Sequence, residues 1–130
     1  MNVNVIDLIV IGSALDELFH NGIFLFLLAL TITDFITGTI KAIMIKDVNS
    51  STGLNGLLRT TAIMVVVIVT SVTIIIAGYN EFMYIMISFY IFEYVISIIE
   101  NLDKMGIPFP EKLVKILRQW EESKKEKGGH

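Results

Sequence analysis

Cysteine is absent from this sequence, which excludes disulfides, thiolate nucleophiles and cysteine-built metal sites together. Histidine is nearly absent: His20 and His130 stand alone, which leaves no basis for a histidine metal centre or a catalytic dyad. Charge is scarce as well, at 18% of 130 residues, against about a quarter in soluble domains. The formal net charge is only −3, and the lysines and arginines crowd into the C-terminal third, so no global basic excess points to nucleic acid. No phosphate-binding glycine loop, nucleophile elbow or metal-ligand cluster stands in the chain. The N-terminus has no basic segment, and Asp7 interrupts its apolar stretch, so it does not read as a cleavable secretory signal. These absences predict a protein that is not an enzyme, with no catalytic residue, no cofactor and no metal.

What is present is apolar. Hydrophobic residues make up 54% of the chain and mean hydropathy is +0.71. They gather into runs long enough to cross about 30 Å of hydrocarbon, which takes roughly 20 residues of helix. The expected architecture is therefore an all-α integral membrane domain with three transmembrane helices, at 22–45, 62–78 and 82–101. Residues 1–21 form an amphipathic segment at the interface, in which Ser13 followed by Asp16 and Glu17 reads as a helix start. Residues 46–61, with Gly53 and Gly56 among hydroxyl residues, read as a loop. Tyr79, Asn80 and Glu81 link the last two spans, which must then form an antiparallel hairpin. Gly106, Pro108 and Pro110 stop the third span. The tail, 102–130, holds a short amphipathic helix from Glu111, with Leu113, Ile116, Leu117 and Trp120 at helical spacing and Lys112, Lys115 and Arg118 elsewhere on the wheel. From Glu121 onward the charged composition predicts disorder.

Basic residues mark cytoplasmic segments. The segment before the first span and the link between the second and third contain none; the first loop has Lys46 and Arg59, and the tail is rich in lysine. Three spans put the first loop and the tail on one side, which predicts an outside N-terminus and a cytoplasmic C-terminus. Trp120 and the tail's basic residues Lys112, Lys115 and Arg118 fit a helix resting on anionic lipid.

The spans also carry charge. Asp34 and Lys41 lie seven residues apart on one face of the first, with Gly38 between them, and Gly38 with Ala42 makes a small-residue pair suited to close helix approach. Glu93, Ser97 and Glu100 share a face of the third. A charge at the bilayer centre costs roughly 2.5–3.5 kcal/mol on insertion scales, so such residues face protein or water. Lys41 and Glu100 lie near the cytoplasmic ends, where snorkelling to the interface is the simple reading. Asp34 and Glu93 lie deeper, and two roles stay open for them: pairing within the bundle, with Lys41 or a hydroxyl, or lining a pore. Polar faces on two of three helices predict a homo-oligomer.

Two segments carry a resemblance. DFITGTIKAIMIKDVNSSTGLNGLLRT (Asp34 to Thr60) and FYIFEYVISIIENLDKMGIPFPEKLVKIL (Phe89 to Leu117) resemble the two signature regions of the toxin secretion/phage lysis holin family, in order and spacing across most of the chain. Phe92, where asparagine often precedes the glutamate, and Arg59, where lysine is frequent, are departures that leave the charge pattern intact. The resemblance implies a phage-encoded protein of the host inner membrane that oligomerises and opens lesions. An endolysin (a murein hydrolase) or a secreted toxin then escapes without necessary direct contact. The competing expectations are an antiholin or regulatory scaffold, and a small ion channel subunit.

Overall fold

The computed structural model describes residues 3–108 and 110–128. Within them the chain is helical throughout: α1 (Val5–Phe19), α2 (Gly22–Met44), α3 (Ser50–Ala77), α4 (Asn80–Lys104) and α5 (Glu111–Gly128). Three of these, spanning Gly22–Met44, Ser51–Ala77 and Asn80–Lys104, are long and apolar enough to cross a membrane. The all-helical, three-span architecture expected from the hydrophobic runs is the one observed.

The helix ends follow from local chemistry. Asn4, Asn21 and Asn49 cap α1, α2 and α3, each side-chain oxygen accepting from a backbone amide just inside the helix. At the other ends the chain turns left-handed at Lys46, Gly78 and Gly106, with φ of 56°, 80° and 77°. The amide after each turn residue donates back five positions: Asp47 to Ala42, Tyr79 to Ile74 and Ile107 to Leu102, at 3.0–3.1 Å. Glycine normally takes this conformation because a Cβ is strained there; α2 is unusual in ending on a lysine.

Four expectations are revised. The segment 46–61 is not a loop, because α3 begins at Ser50. Asn49 caps it by accepting from the Ser51 amide at 3.1 Å and the Ser51 hydroxyl at 2.9 Å. At 28 residues α3 is about 42 Å long, well over the hydrocarbon thickness, so its polar first turns extend the span beyond the apolar layer. Helix α1 starts at Val5 behind an Asn4 cap, not at Ser13: Asn4 and Asp7 form a reciprocal capping box. In its first turns Val5, Ile6, Leu8 and Ile9 are all well exposed. From Glu121 the chain is helical, as α5 continues to Gly128. Finally, α4 does double back from α3 across a short turn, yet its most extensive packing is against α2, while α1 lies mainly on α3. The turn residues govern chain direction, and the close fit of the α2 and α4 side chains governs which helix α4 meets. The Leu117 side chain, expected on the apolar face of the tail helix, lies outside the described residues.

The core sits toward the end where α1 meets α2. Leu18, Phe24, Leu27, Val67, Met83 and Ile87 are fully or almost fully buried and pack as one cluster. Phe19 meets Phe24 edge-to-face with centroids 5.2 Å apart. Two side-chain bonds fasten the same end: Asn21 to the Tyr84 hydroxyl at 3.0 Å, and Asn80 to Glu17 at 3.1 Å. Outward from it, large apolar side chains such as Ile32, Phe35, Ile36, Val65 and Val69 are bare. Such continuous exposure is a liability in water but suits a surface solvated by lipid tails.

Candidate functional site

Toward the opposite end a cleft lined by charged and polar residues opens between α2, α3 and α4. One cavity of about 470 Å³ is lined by Asp34 of α2, Arg59 and Thr60 of α3, Glu93, Tyr94, Ser97 and Glu100 of α4, and Glu121 of α5. A second, of about 520 Å³, is lined by Asp34, Gly38 and Lys41 together with Gly53, Gly56, Ser97, Asn101 and Lys104. The two adjoin along Asp34, Gly56, Thr60 and Ser97 and together make up the recess. All six residues expected on the polar faces, Asp34, Gly38, Lys41, Glu93, Ser97 and Glu100, border this recess.

Its best-ordered feature is a bridge between α2 and α4. Asp34 and Lys41 make no direct ion pair; Asn101 joins them. Lys41 Nζ donates to Asn101 Oδ1 at 2.9 Å. The Asn101 amide nitrogen in turn reaches Asp34 Oδ1 at 3.2 Å, Thr37 Oγ1 at 3.1 Å and the Asp34 carbonyl at 3.4 Å. Asn101 is buried, and an amide presenting acceptor and donor to opposite charges satisfies both without bringing them into contact. Gly38 lies beside it: a methyl group on Gly38 would sit 3.6 Å from Asn101 Nδ2, an ordinary contact, so the bridge does not require glycine there. Higher in the recess the Tyr94 hydroxyl is buried with no hydrogen-bond partner among the described residues.

Glu93 has a different partner from any on the spans. Lys124 Nζ lies 2.6 Å from Glu93 Oε1. The Trp120 ring meets Phe92 edge-to-face, centroids 4.9 Å apart, Lys124 lies 5.0 Å from the Trp120 ring centre, and Arg118 pairs with Asp103 at 3.4 Å. The tail helix therefore returns along α4. Lys112 and Lys115 remain exposed.

The structure adds Asn101, Tyr94 and the α3 wall to the α2 and α4 side chains expected from the sequence. Asn101 stands four residues after Ser97, so helical spacing alone places it on the same face, but an uncharged amide does not stand out there as Glu93 and Glu100 do. Arg59 and Thr60 were assigned to a loop and so never considered as part of the lining. Among the described residues no group of three or more His, Cys, Asp or Glu is placed to hold a metal ion. What the recess offers is room and polar surface inside an otherwise lipid-facing bundle.

Fold and recess together define a small multi-pass helical membrane protein with charged residues lining a recess between its helices. Comparison with known proteins makes this specific, because the profile of the bacteriophage holin family matches residues 5–122. The chain belongs to that family, which is not an enzyme family. It is also 35% identical over 95 residues to an uncharacterized 14.9 kDa protein in the nagH 3′ region of Clostridium perfringens, covering 72% of each chain. A second uncharacterized protein, from C. perfringens strain 13, is 34% identical over 95 residues, 72% of this chain and 70% of its own. A third, from Halalkalibacterium halodurans, is 34% identical over 93 residues, 67% of this chain and 69% of its own. No solved structure matches the chain.

Proposed function

We propose that the chain is a holin that oligomerises in the cytoplasmic membrane of a bacterial host and permeabilises it, releasing a murein hydrolase or a large toxin. The carrying observation is the recess: Asp34, Arg59, Glu93 and Glu100 border open space between helices that are otherwise apolar. Charges at that depth need water or protein around them. Neighbouring copies that present the same faces enclose a larger polar volume without exposing charge to lipid. Lys46 and the basic tail support an orientation with the recess at the cytoplasmic end and α1 and the α3–α4 turn outside.

Expression of the chain alone in a bacterium should collapse the membrane potential, and co-expression with a cytoplasmic murein hydrolase should lyse the culture. Unchanged potential at high membrane levels would sink this reading. Delayed lysis of a known holin with no lethality alone would mark an antiholin, and discrete selective currents without passage of large solutes would mark a channel subunit. Because the chain lacks cysteine, single cysteines at Val3 and Ser123 report sidedness directly. An impermeant thiol reagent applied to intact cells should label the first and not the second.

A further inference from the structure

The tail helix is docked where a charged helix does not belong if lipid surrounds α4. Eleven residues separate Lys104, at the end of α4, from Glu93, so Lys124 is held about 16 Å along the span from its cytoplasmic end. Glu121 and Glu122 travel with it, and Glu121 forms part of the recess wall. This position is tenable only while that face of α4 borders water or protein. The docking uses Trp120, Arg118 and Lys124, which are the residue types that hold a helix on an anionic headgroup layer. Glu93 and Asp103 carboxylates on one side, and phospholipid phosphates on the other, therefore compete for the same cations.

We propose that α5 is a strap with two resting places: against α4, where it walls one side of the recess and neutralises Glu93, and on an anionic phospholipid surface, where it leaves that side of the recess uncovered. The proposal rests on the spanning arrangement read above but not on any permeabilising activity. Released, α5 offers six basic residues, Lys112, Lys115, Arg118, Lys124, Lys125 and Lys127, against four glutamates. Its Trp120 then exchanges the Phe92 ring for the headgroup boundary, where tryptophan is at home.

Trp120 is the only tryptophan in the chain, so its fluorescence reports strap position in the full-length protein. The experiment reconstitutes the chain in vesicles of phosphatidylcholine, with or without phosphatidylglycerol, and measures quenching by lipids brominated near the headgroup. Quenching should be low in phosphatidylcholine and rise as phosphatidylglycerol is added, with high salt reversing the rise. Glu93→Gln removes a docking partner and no lipid-binding charge, so it should lower the phosphatidylglycerol content needed. Lys112→Gln with Lys115→Gln touches no α4 contact and should raise it. Quenching that is the same in both vesicle types for the unaltered chain overturns the strap, whatever the variants do. Equal titrations for Glu93→Gln and the unaltered chain overturn it too. A normal quenching response without dye leakage supports the strap while removing the proposed function, so the two failures are distinguishable.

Discussion

The two ends of this bundle are built on opposite principles. Toward the α1–α2 turn, Leu18, Phe24, Leu27, Val67, Met83 and Ile87 close on one another with no exposed surface to speak of. Toward the α2–α3 turn, Asp34, Glu93, Glu100 and Arg59 border open space between the same helices, and the Asn101 bridge joins α2 to α4. The closed end is held by shape and the open end by a few directional bonds. A protein that must first insert and later reorganise gains from this division. On the proposed function, packing would keep the helices together while the polar end exchanges internal partners for those of a neighbouring copy. Substitutions at the closed end should therefore change stability, and those at the open end chiefly assembly.

The largest effect is expected from Phe24→Ala. Phe24 has no exposed surface and stacks on Phe19, and removal of such a ring costs about 3–5 kcal/mol in soluble cores. In a lipid or detergent environment the water-transfer part is missing and packing remains, so a loss of about 2–3 kcal/mol is expected in denaturant-resolved unfolding in micelles. If Phe24→Ala unfolds no more easily than Asp34→Leu, the closed end is not the stabilising half.

Next comes Asn101→Leu, which strands Lys41 and Asp34 without their shared amide. Leaving buried polar partners unsatisfied costs roughly 1–3 kcal/mol, but this recess is open to water, so about 1–2 kcal/mol is expected. The sharper readout is functional. Asn101→Leu should shift the onset of permeabilisation in cells, as should Asp34→Leu and Glu93→Leu, while Phe24→Ala lowers protein level instead. Unchanged onset and oligomer size in all three open-end variants would remove those charges from the mechanism.

How much of this was legible follows the same division. The spans were readable because twenty consecutive apolar residues have few alternatives to a membrane helix. The polar faces were readable because charge stands out against such a background and helical spacing groups it. Helix α3's first turns were not. Gly53 and Gly56 lower helix propensity by about 1 kcal/mol each, while the evidence for helix, an Asn49 cap with Leu54, Leu57 and Leu58 on one side, is weak until the rest of α3 is in place. The tail's return to Glu93 was illegible for a different reason. It joins residues 31 apart in sequence, and nothing local selects Glu93 over a lipid phosphate as partner for Lys124.

Lys46→Gly tests the hinge between α2 and α3 and should act in the stabilising direction. Lys46 holds a left-handed turn at φ 56°, a conformation that costs a side-chain-bearing residue about 1–2 kcal/mol relative to glycine. Glycine's greater freedom in the unfolded chain returns part of this, leaving a net gain of about 0.5–1 kcal/mol in micelles. A loss of stability would show that the lysine makes a compensating contact at this end. Because the lost charge also flanks the membrane, sidedness should be checked by the cysteine labelling above; the tail's lysines should keep it unchanged.

The smallest effect belongs to Arg118→Gln, and its smallness is informative. The Arg118–Asp103 pair lies at the mouth of the open end with both side chains at least half exposed, at 67% and 50%. Exposed pairs of this kind contribute less than about 1 kcal/mol and are screened by salt, so unfolding in micelles should move by about 0.5 kcal/mol or less. Glu93, by contrast, keeps only 28% of its side chain exposed under Lys124, so the inner pair of the tail should matter more than the outer one. Removing Arg118 should leave Trp120 against Phe92 in phosphatidylcholine vesicles, whereas Glu93→Gln should begin to free it. If Arg118→Gln releases the tail as fully as Glu93→Gln, the tail is held at its root, and the recess has no part in holding α5.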